Sequence, residues 1–276
     1  MFDKIEKIGK SLVQHGAEND RIYLMHFAGD AEFLIPNLDK LAQKNGYSKT
    51  IAKIPAGAAP AFFANNFRIE AFVPGFFKGR EDCFFLAKYF SDSRKKVDQK
   101  GLLAFQKILK KKNPSKKIGD SSCEIRKIKK KDSEQLAELY RKTFASYPFP
   151  IDSEKYLRET MRDNVIYFGA WRDDELVGAA SAEADREFLN AEMTDFAVAP
   201  KFRGNNLALI LLARAEKEMK KIGVKTLYTI ARLNSFGINA TFLKSNYSFS
   251  GTLINNTNIA GGLESMNVWC KHLNCR

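Results

Sequence analysis

Histidine is scarce in this chain, and its scarcity removes whole classes of chemistry. Only His15, His26 and His272 occur in 276 residues. None forms a His-x-x-x-His pair or a His/Cys cluster, so no metal site is expected. Cysteine is nearly as sparse: Cys83, Cys123, Cys270 and Cys275 lack metal-ligand spacing and are too few for a disulfide framework, the usage of a chain kept reduced. No apolar run approaches the ~18 residues of a membrane span and no secretory leader stands at the start, so a soluble cytoplasmic protein with no membrane partner is expected.

What is present is the material of a core. Hydrophobic residues make up 45% and aromatic residues 12% of the chain, which places it among globular proteins and gives room for one large domain or two small ones. The formal charge of +13 is concentrated: residues 94–131 hold 15 Lys/Arg against 3 Asp/Glu, so the remainder is close to neutral. A solvated connector is the plainest reading of that segment, with attraction of an anionic cofactor or weak nucleic-acid binding as the others. Phe105 is its single aromatic, too few for a platform that stacks single strands, and this argues against a nucleic-acid partner.

The most informative stretch is Glu192 to Ala208. It reads as a strand ending at Pro200, a polar turn, and a helix continuing Leu-Ala-Leu-Ile-Leu-Leu-Ala. The unpaired N–H groups and positive dipole end of such a helix suit a phosphate or pyrophosphate, and Arg203 adds a cation. Val-x-Pro-x-(aromatic)-Arg-Gly after a strand resembles motif A of the GNAT acetyltransferases, which move acetyl from acetyl-CoA to an amine. The family's pyrophosphate pattern falls on Arg203, Gly204, Asn205, Asn206, Leu207 and Ala208. Asn206 stands where glycine is usual, and Asn is the non-glycine residue most at ease at positive φ. The resemblance further implies that the backbone of Phe196, Ala197 and Val198 pairs with pantetheine and polarises the thioester carbonyl, and that Asn234 reaches the pantetheine arm.

An alkylammonium with a pKa near ~10.4 must lose a proton before it attacks, so the site needs a carboxylate. Glu192 and Asp195 lie on the strand before the loop, where the family often places its base. Strict alternation puts Glu192 on the face of Thr194, Phe196 and Val198 and Asp195 on the other, unless a bulge intervenes. Phe242-x-Lys244-x-Asn246-Tyr247 falls on the family's Tyr-x-Lys-x-Gly-Phe motif with Phe242 at the tyrosine that protonates the departing thiolate. Tyr247 or Tyr228 substitutes for it, or no side-chain acid is used.

Further runs narrow the resemblance. Ala-Glu-Met-Thr-Asp-Phe-Ala-Val, Tyr-Pro-Phe-Pro-Ile (147–151), Ala-Arg-Leu-Asn-Ser and Asn-Asn-Thr-Asn-Ile-Ala-Gly-Gly-Leu-Glu-Ser-Met-Asn-Val-Trp are similar to the beta-lysine N6-acetyltransferases, which make the compatible solute N-epsilon-acetyl-beta-lysine. The resemblance implies a small-molecule amine acceptor. Tyr147 and Phe149 would line its closed pocket, Arg232 would hold its carboxylate, and Asn255 to Asn258 would be either a contact loop or a plain hairpin turn. Another small amine, a protein lysine, or a non-catalytic acetyl-CoA sensor are the alternative readings. No feature fixes an oligomeric state.

The expected fold class is α/β, a mixed sheet covered by helices, in three parts. Residues 1–92 form a smaller α/β domain whose later portion (helix, strand, Pro74-Gly75-Phe76-Phe77, strand) is similar to the C-terminal third of a GNAT fold. Residues 93–122 form a basic linker with a helix over 100–112, and residues 123–276 form the GNAT domain. Residues 1–20 suggest only a short strand or loop.

Overall fold

A computed structural model describes residues 3–110 and 122–273. The first half runs β1 (Lys4–Ile8), β2 (Ser11–Gly16), β3 (Arg21–His26), α1 (Ala31–Asn45), β4 (Lys49–Pro55), α2 (Ala59–Phe63), β5 (Arg68–Phe77) and β6 (Glu81–Tyr89). Then come α3 (Gln99–Leu109), β7 (Glu124–Lys127), α4 (Ser133–Thr143) and α5 (Glu154–Asp163). The last part is β8 (Val165–Arg172), β9 (Glu175–Asp185), β10 (Asn190–Val198), α6 (Leu207–Lys221), β11 (Thr226–Arg232), α7 (Phe236–Lys244), β12 (Ser248–Ile259) and β13 (Gly262–His272). The local causes are ordinary. Asp173 and Asp174 take positive φ (50° and 62°) in the two-residue turn between β8 and β9, as such hairpins require. Gly46 ends α1 at φ 68°, and Ser153 caps α5 by accepting from the Tyr156 N–H.

The described strands form one sheet, ordered β1-β2-β3-β4-β6-β5-β12-β13-β11-β10-β9-β8-β7. Residues 4–89 and 165–272 have the same element order, three strands, helix, strand, helix, two strands. Each contains one parallel pair, β3 with β4 and β10 with β11. The likeness between the halves thus extends past the C-terminal third and includes β1 and β2, too short and mixed to be legible as strands. α4, α5 and β7 have no counterpart in residues 4–89.

Alternation sorts the side chains onto two faces. Ala52 and Ile54 of β4 pack beneath Leu34 and Leu38 of α1, and Met193 and Leu227 pack beneath Leu211 of α6. The opposite faces meet in a cluster built from strand residues of both halves, among them Ile51, Phe76, Phe85, Tyr228, Leu253 and Val268. The sheet is rolled: His26 at the end of β3 stacks on Phe188 in the β9–β10 turn with ring centroids 6.0 Å apart. In a flat sheet, at about 4.8 Å per strand, β3 and β10 would stand roughly 34 Å apart.

The halves are joined edge to edge by the pairing of Gly251 in β12 with Ala71 in β5. Gly251 has φ 134°, and a Cβ there would lie 2.2 Å from the Glu70 carbonyl oxygen and 2.7 Å from Ala71 Cα. Beside this junction three buried cations hold successive carbonyls of β12. Lys49 donates to Ile254 (2.7 Å) and to Glu70 (2.8 Å), Arg94 Nε donates to Asn255 (2.7 Å), and Arg21 donates to Asn256. Asn255 donates in return to the Arg94 and Lys96 carbonyls. The run Asn255–Asn258 is therefore part of a strand docked on the first half, and the turn itself falls at Ala260-Gly261, both at positive φ.

The segment expected to be a solvated linker is docked where it is described. Arg94 is buried in the junction, and Phe105 of α3 is buried against Phe249 and Trp269, with centroids 5.0 and 5.9 Å away. The end of the helix expected over 100–112 lies outside the described residues, as does Cys275. No helix among the described residues is long and apolar enough to cross a membrane. Gly251→Ala is expected to lower unfolding stability by about 3 kcal/mol, from overpacking and forced positive φ together. A urea midpoint unchanged from wild type would show that the junction can relax.

Candidate active site

After β10 the chain makes a single turn of 3-10 helix (Pro200–Phe202), passes Gly204 at φ 86°, and enters α6 through Asn206 at φ 58°. Asn206 thus supplies the left-handed conformation that glycine supplies elsewhere. No side chain caps α6, so its first N–H groups remain available to an anion. A Cβ on Gly204 would meet open space, so only the backbone angle calls for glycine there. Arg203 is exposed and folds back, its Nε donating to the Val198 carbonyl at 3.2 Å. Asn205 donates to the Phe202 carbonyl at 3.3 Å.

Ahead of this loop the sheet opens. The parallel ladder of β10 and β11 stops at the pair Glu192–Tyr228, although the strands run on to Val198 and Arg232. The later part of β10, including Phe196, Ala197 and Val198, therefore borders a gap on its β11 side while Ala197 and Val198 pair with β9 on the other. A bulge lies between Thr194 and Ala197, with Asp195 at φ 52°. It shifts the alternation by one residue. Phe196 turns to the α6 side, where its ring meets Phe242 at 5.5 Å, and Asp195 turns to the face of Glu192. The strict alternation expected from the sequence holds only as far as Thr194.

Glu192 is half-buried, accepts a hydrogen bond from the Tyr228 hydroxyl, and has its pKa pushed up to about 7, first by burial and then by Glu183. Glu183 is the cross-strand partner of Glu192, so two like charges face each other directly, an arrangement that costs stability unless a cation joins them. Lys53 of β4 pulls the other way on Glu192. Burial raises the Asp195 carboxyl, against hydrogen bonds from Ser181 (2.6 Å), Tyr147 (2.5 Å) and Thr194. Asp195 thereby ties the 147–151 loop to the sheet, whereas Glu192 carries one protein hydrogen bond and a pKa near neutrality, the condition for a general base.

The other residues picked out by the sequence are dispersed. Tyr147 stands at Asp195, and Phe149 packs partly buried among the α4–α5 residues. Arg232 is ion-paired with Glu264 at 2.5 Å. Asn234 donates to Asp98, the cap of α3, at 3.2 Å. Tyr247 is buried on the α6 side of the sheet with its ring against Phe242 at 4.9 Å, behind the face that carries Glu192; Tyr228 is the tyrosine beside that carboxylate. Sequence reasoning does not find Glu183, Lys53 or Tyr23 of β3, the last lying where the charges of Lys53 and Glu192 both act on its hydroxyl. Glu183 could have been found by pairing the hairpin strands in register, but Lys53 and Tyr23 arrive from the other half and have no local signal.

Between pH 4.5, the ordinary value for this side chain, and about 7, the unfolded chain releases a proton that folded Glu192 keeps. The contribution of Glu192 to stability therefore falls as pH rises through this window and stays low above it. Glu192→Gln should match the wild-type melting temperature below pH ~4 and exceed it above pH ~7. A variant less stable than wild type at high pH would contradict this.

Comparison with known proteins completes the assignment. A family model described as the acetyltransferase (GNAT) family matches residues 133–241, from α4 into α7. The beta-lysine N(6)-acetyltransferase of Methanococcus maripaludis is 37% identical over 274 residues, 98% of this chain and 99% of that protein. The N-acetyltransferase YodP of Bacillus subtilis is 34% identical, covering 99% and 100% of the two chains, and the beta-lysine N(6)-acetyltransferase of Methanosarcina mazei is 31% identical, covering 90% and 100%. Among solved structures, smu.2055 of Streptococcus mutans superposes with a TM-score of 0.50 at 18% identity, over 55% of this chain and 99% of that one, a likeness of fold. With relatives this similar along nearly its whole length, and with the loop, gap and bulge in place, the chain belongs to the GNAT acetyltransferase family.

Proposed function

We propose that this protein transfers the acetyl group of acetyl-CoA to the N6 amine of beta-lysine, giving N-epsilon-acetyl-beta-lysine, in the cytoplasm. The observation that carries the reading is Glu192, a carboxylate poised near neutrality at the point where β10 and β11 part, just ahead of the phosphate-binding loop. The acceptor is inferred from the full-length relatives named for it.

Acetyl-CoA supplies the activated thioester. The N–H groups at the start of α6 and the Arg203 guanidinium suit its pyrophosphate, and the open β10 edge from Phe196 to Val198 suits its pantetheine arm. Glu192 takes the proton of the incoming ammonium, which frees the nitrogen lone pair to form the new N–C bond as the C–S bond breaks. Backbone N–H groups at the bulge steady the oxygen on which charge develops. Tyr228, hydrogen-bonded to Glu192, is the phenol that would return a proton to the thiolate; Glu192 replenishes it and then takes the second proton from the new amide nitrogen, which leaves to solvent.

The test is free-thiol release from acetyl-CoA with beta-lysine, alpha-lysine, ornithine and spermidine. Preference for beta-lysine is expected; release with a different amine alone would discard the acceptor. Since the base must be ionised, kcat/KM should rise with pH through about 7, the value reached by Glu192, and Glu192→Gln should lower kcat about 10²- to 10⁴-fold while CoA binding persists. A variant as active as wild type would remove Glu192 as the base. Tyr228→Phe should lower kcat more than Tyr247→Phe does; the reverse order would return the acid to the α7 side.

A further inference from the structure

The reading above leaves the acceptor's carboxylate without a partner, because Arg232 is engaged by Glu264. Another cation faces the same space from the first half of the chain. Alternation along β4 puts Lys49, Ile51 and Lys53 on the inner face; Ile51 belongs to the shared cluster that also contains Tyr228. Lys49 is closed off against Glu70 at 2.8 Å. Lys53 is half-buried and makes no ion pair among the described residues, its ammonium lying 5.7 Å from the centroid of Phe76. Phe76 in turn meets Tyr228 at 5.0 Å, and Tyr228 is the register partner and hydrogen-bond donor of Glu192. An unbroken path thus runs Lys53, Phe76, Tyr228, Glu192, with the exposed Glu183 opposite the last.

An ammonium without an ion pair among the described residues, set across the Phe76 and Tyr228 rings from two facing carboxylates, is complementary to a molecule with a cation at one end and an anion at the other. The two glutamates repel each other until an ammonium enters between them. The lysine has neither a paired partner nor full hydration. One zwitterionic acceptor relieves both.

We propose that Lys53 is an acceptor-binding residue that holds the carboxylate of the amino-acid substrate, while Glu192 and Glu183 receive its reacting ammonium. Specificity for a diamino acid over a plain diamine then comes from the half of the chain outside the residues matched by the GNAT family model. The inference rests on the beta-lysine reading and assigns the residue that reads the carboxylate.

The experiment compares beta-lysine with 1,4-diaminopentane, the same skeleton without the carboxylate, at about pH 9, where Glu192 is ionised in every variant. In wild type, beta-lysine should have the higher kcat/KM. Lys53→Gln should raise KM for beta-lysine about 10- to 100-fold, the loss of one charge-assisted contact, with kcat changed little and the diamine unaffected. Lys53→Arg, which keeps the charge should the first variant fold poorly, should retain the preference. An equal loss on both acceptors, or no change on either, would overturn the role of Lys53 while leaving the acceptor assignment intact. If wild type uses other amines and ignores beta-lysine, the assignment falls first and this inference with it.

Discussion

Everything distinctive about this molecule depends on a close approach of two backbones at Gly251 and Ala71. At the irregular point of β12 the two backbones come closer than in an ordinary strand pair, and Gly251 removes the Cβ that would otherwise strike the Glu70 carbonyl. Shape alone would leave the register free to slip. Three cations fix it by donating to the consecutive carbonyls of Ile254, Asn255 and Asn256. Burial makes these expensive residues: it draws the Lys49 ammonium down to about 8 even with Glu70 beside it. Buried charges that do more for register than for net stability are a known use of such groups.

Once joined, the sheet rolls, and the roll gives the first half a role that its own sequence does not suggest. It repeats the strand–helix order of the second half, including the parallel pair β3–β4. At the start of α1 stands Asp30, whose carboxylate accepts from Ser11 at 2.7 Å and from the Lys10 N–H at 3.2 Å and so holds the β1–β2 turn. What remains is the inner face, carrying Tyr23, Lys53 and Phe76 toward Glu192. One half keeps the uncapped helix start after the Arg203 loop; the other walls the face that carries Glu192.

The chemistry stands on local departures from regular structure. The parallel ladder stops early, the bulge holds Asp195 at positive φ, and two glutamates face each other across a hairpin. Each departure is unfavourable by itself, and each lies beside the gap where a substrate would supply what is missing. Asp195 and Glu192 differ by environment: three hydrogen bonds tie the first into the fold, and burial with Glu183 opposite raises the pKa of the second to about 7.

The sequence by itself determined what depends on neighbours along the chain. The run from Glu192 to Ala208 read as a strand, a polar turn and a helix that suit a phosphate. Even the exception at Asn206 was legible, because Asn tolerates the φ that the turn needs. Tertiary structure decided what depends on phase and on distance in sequence. A single bulge residue exchanged the faces of Asp195 and Phe196, since alternation carries a face assignment only while the register is unbroken. Arg232 was taken by Glu264, and Tyr247 went behind the sheet, because pairing and layer are set by strands far apart in the chain. Lys53 comes within reach of the Glu192 charge only because the sheet rolls, and the roll depends on contacts between residues about 180 apart, such as Gly251 and Ala71, for which local sequence carries no signal.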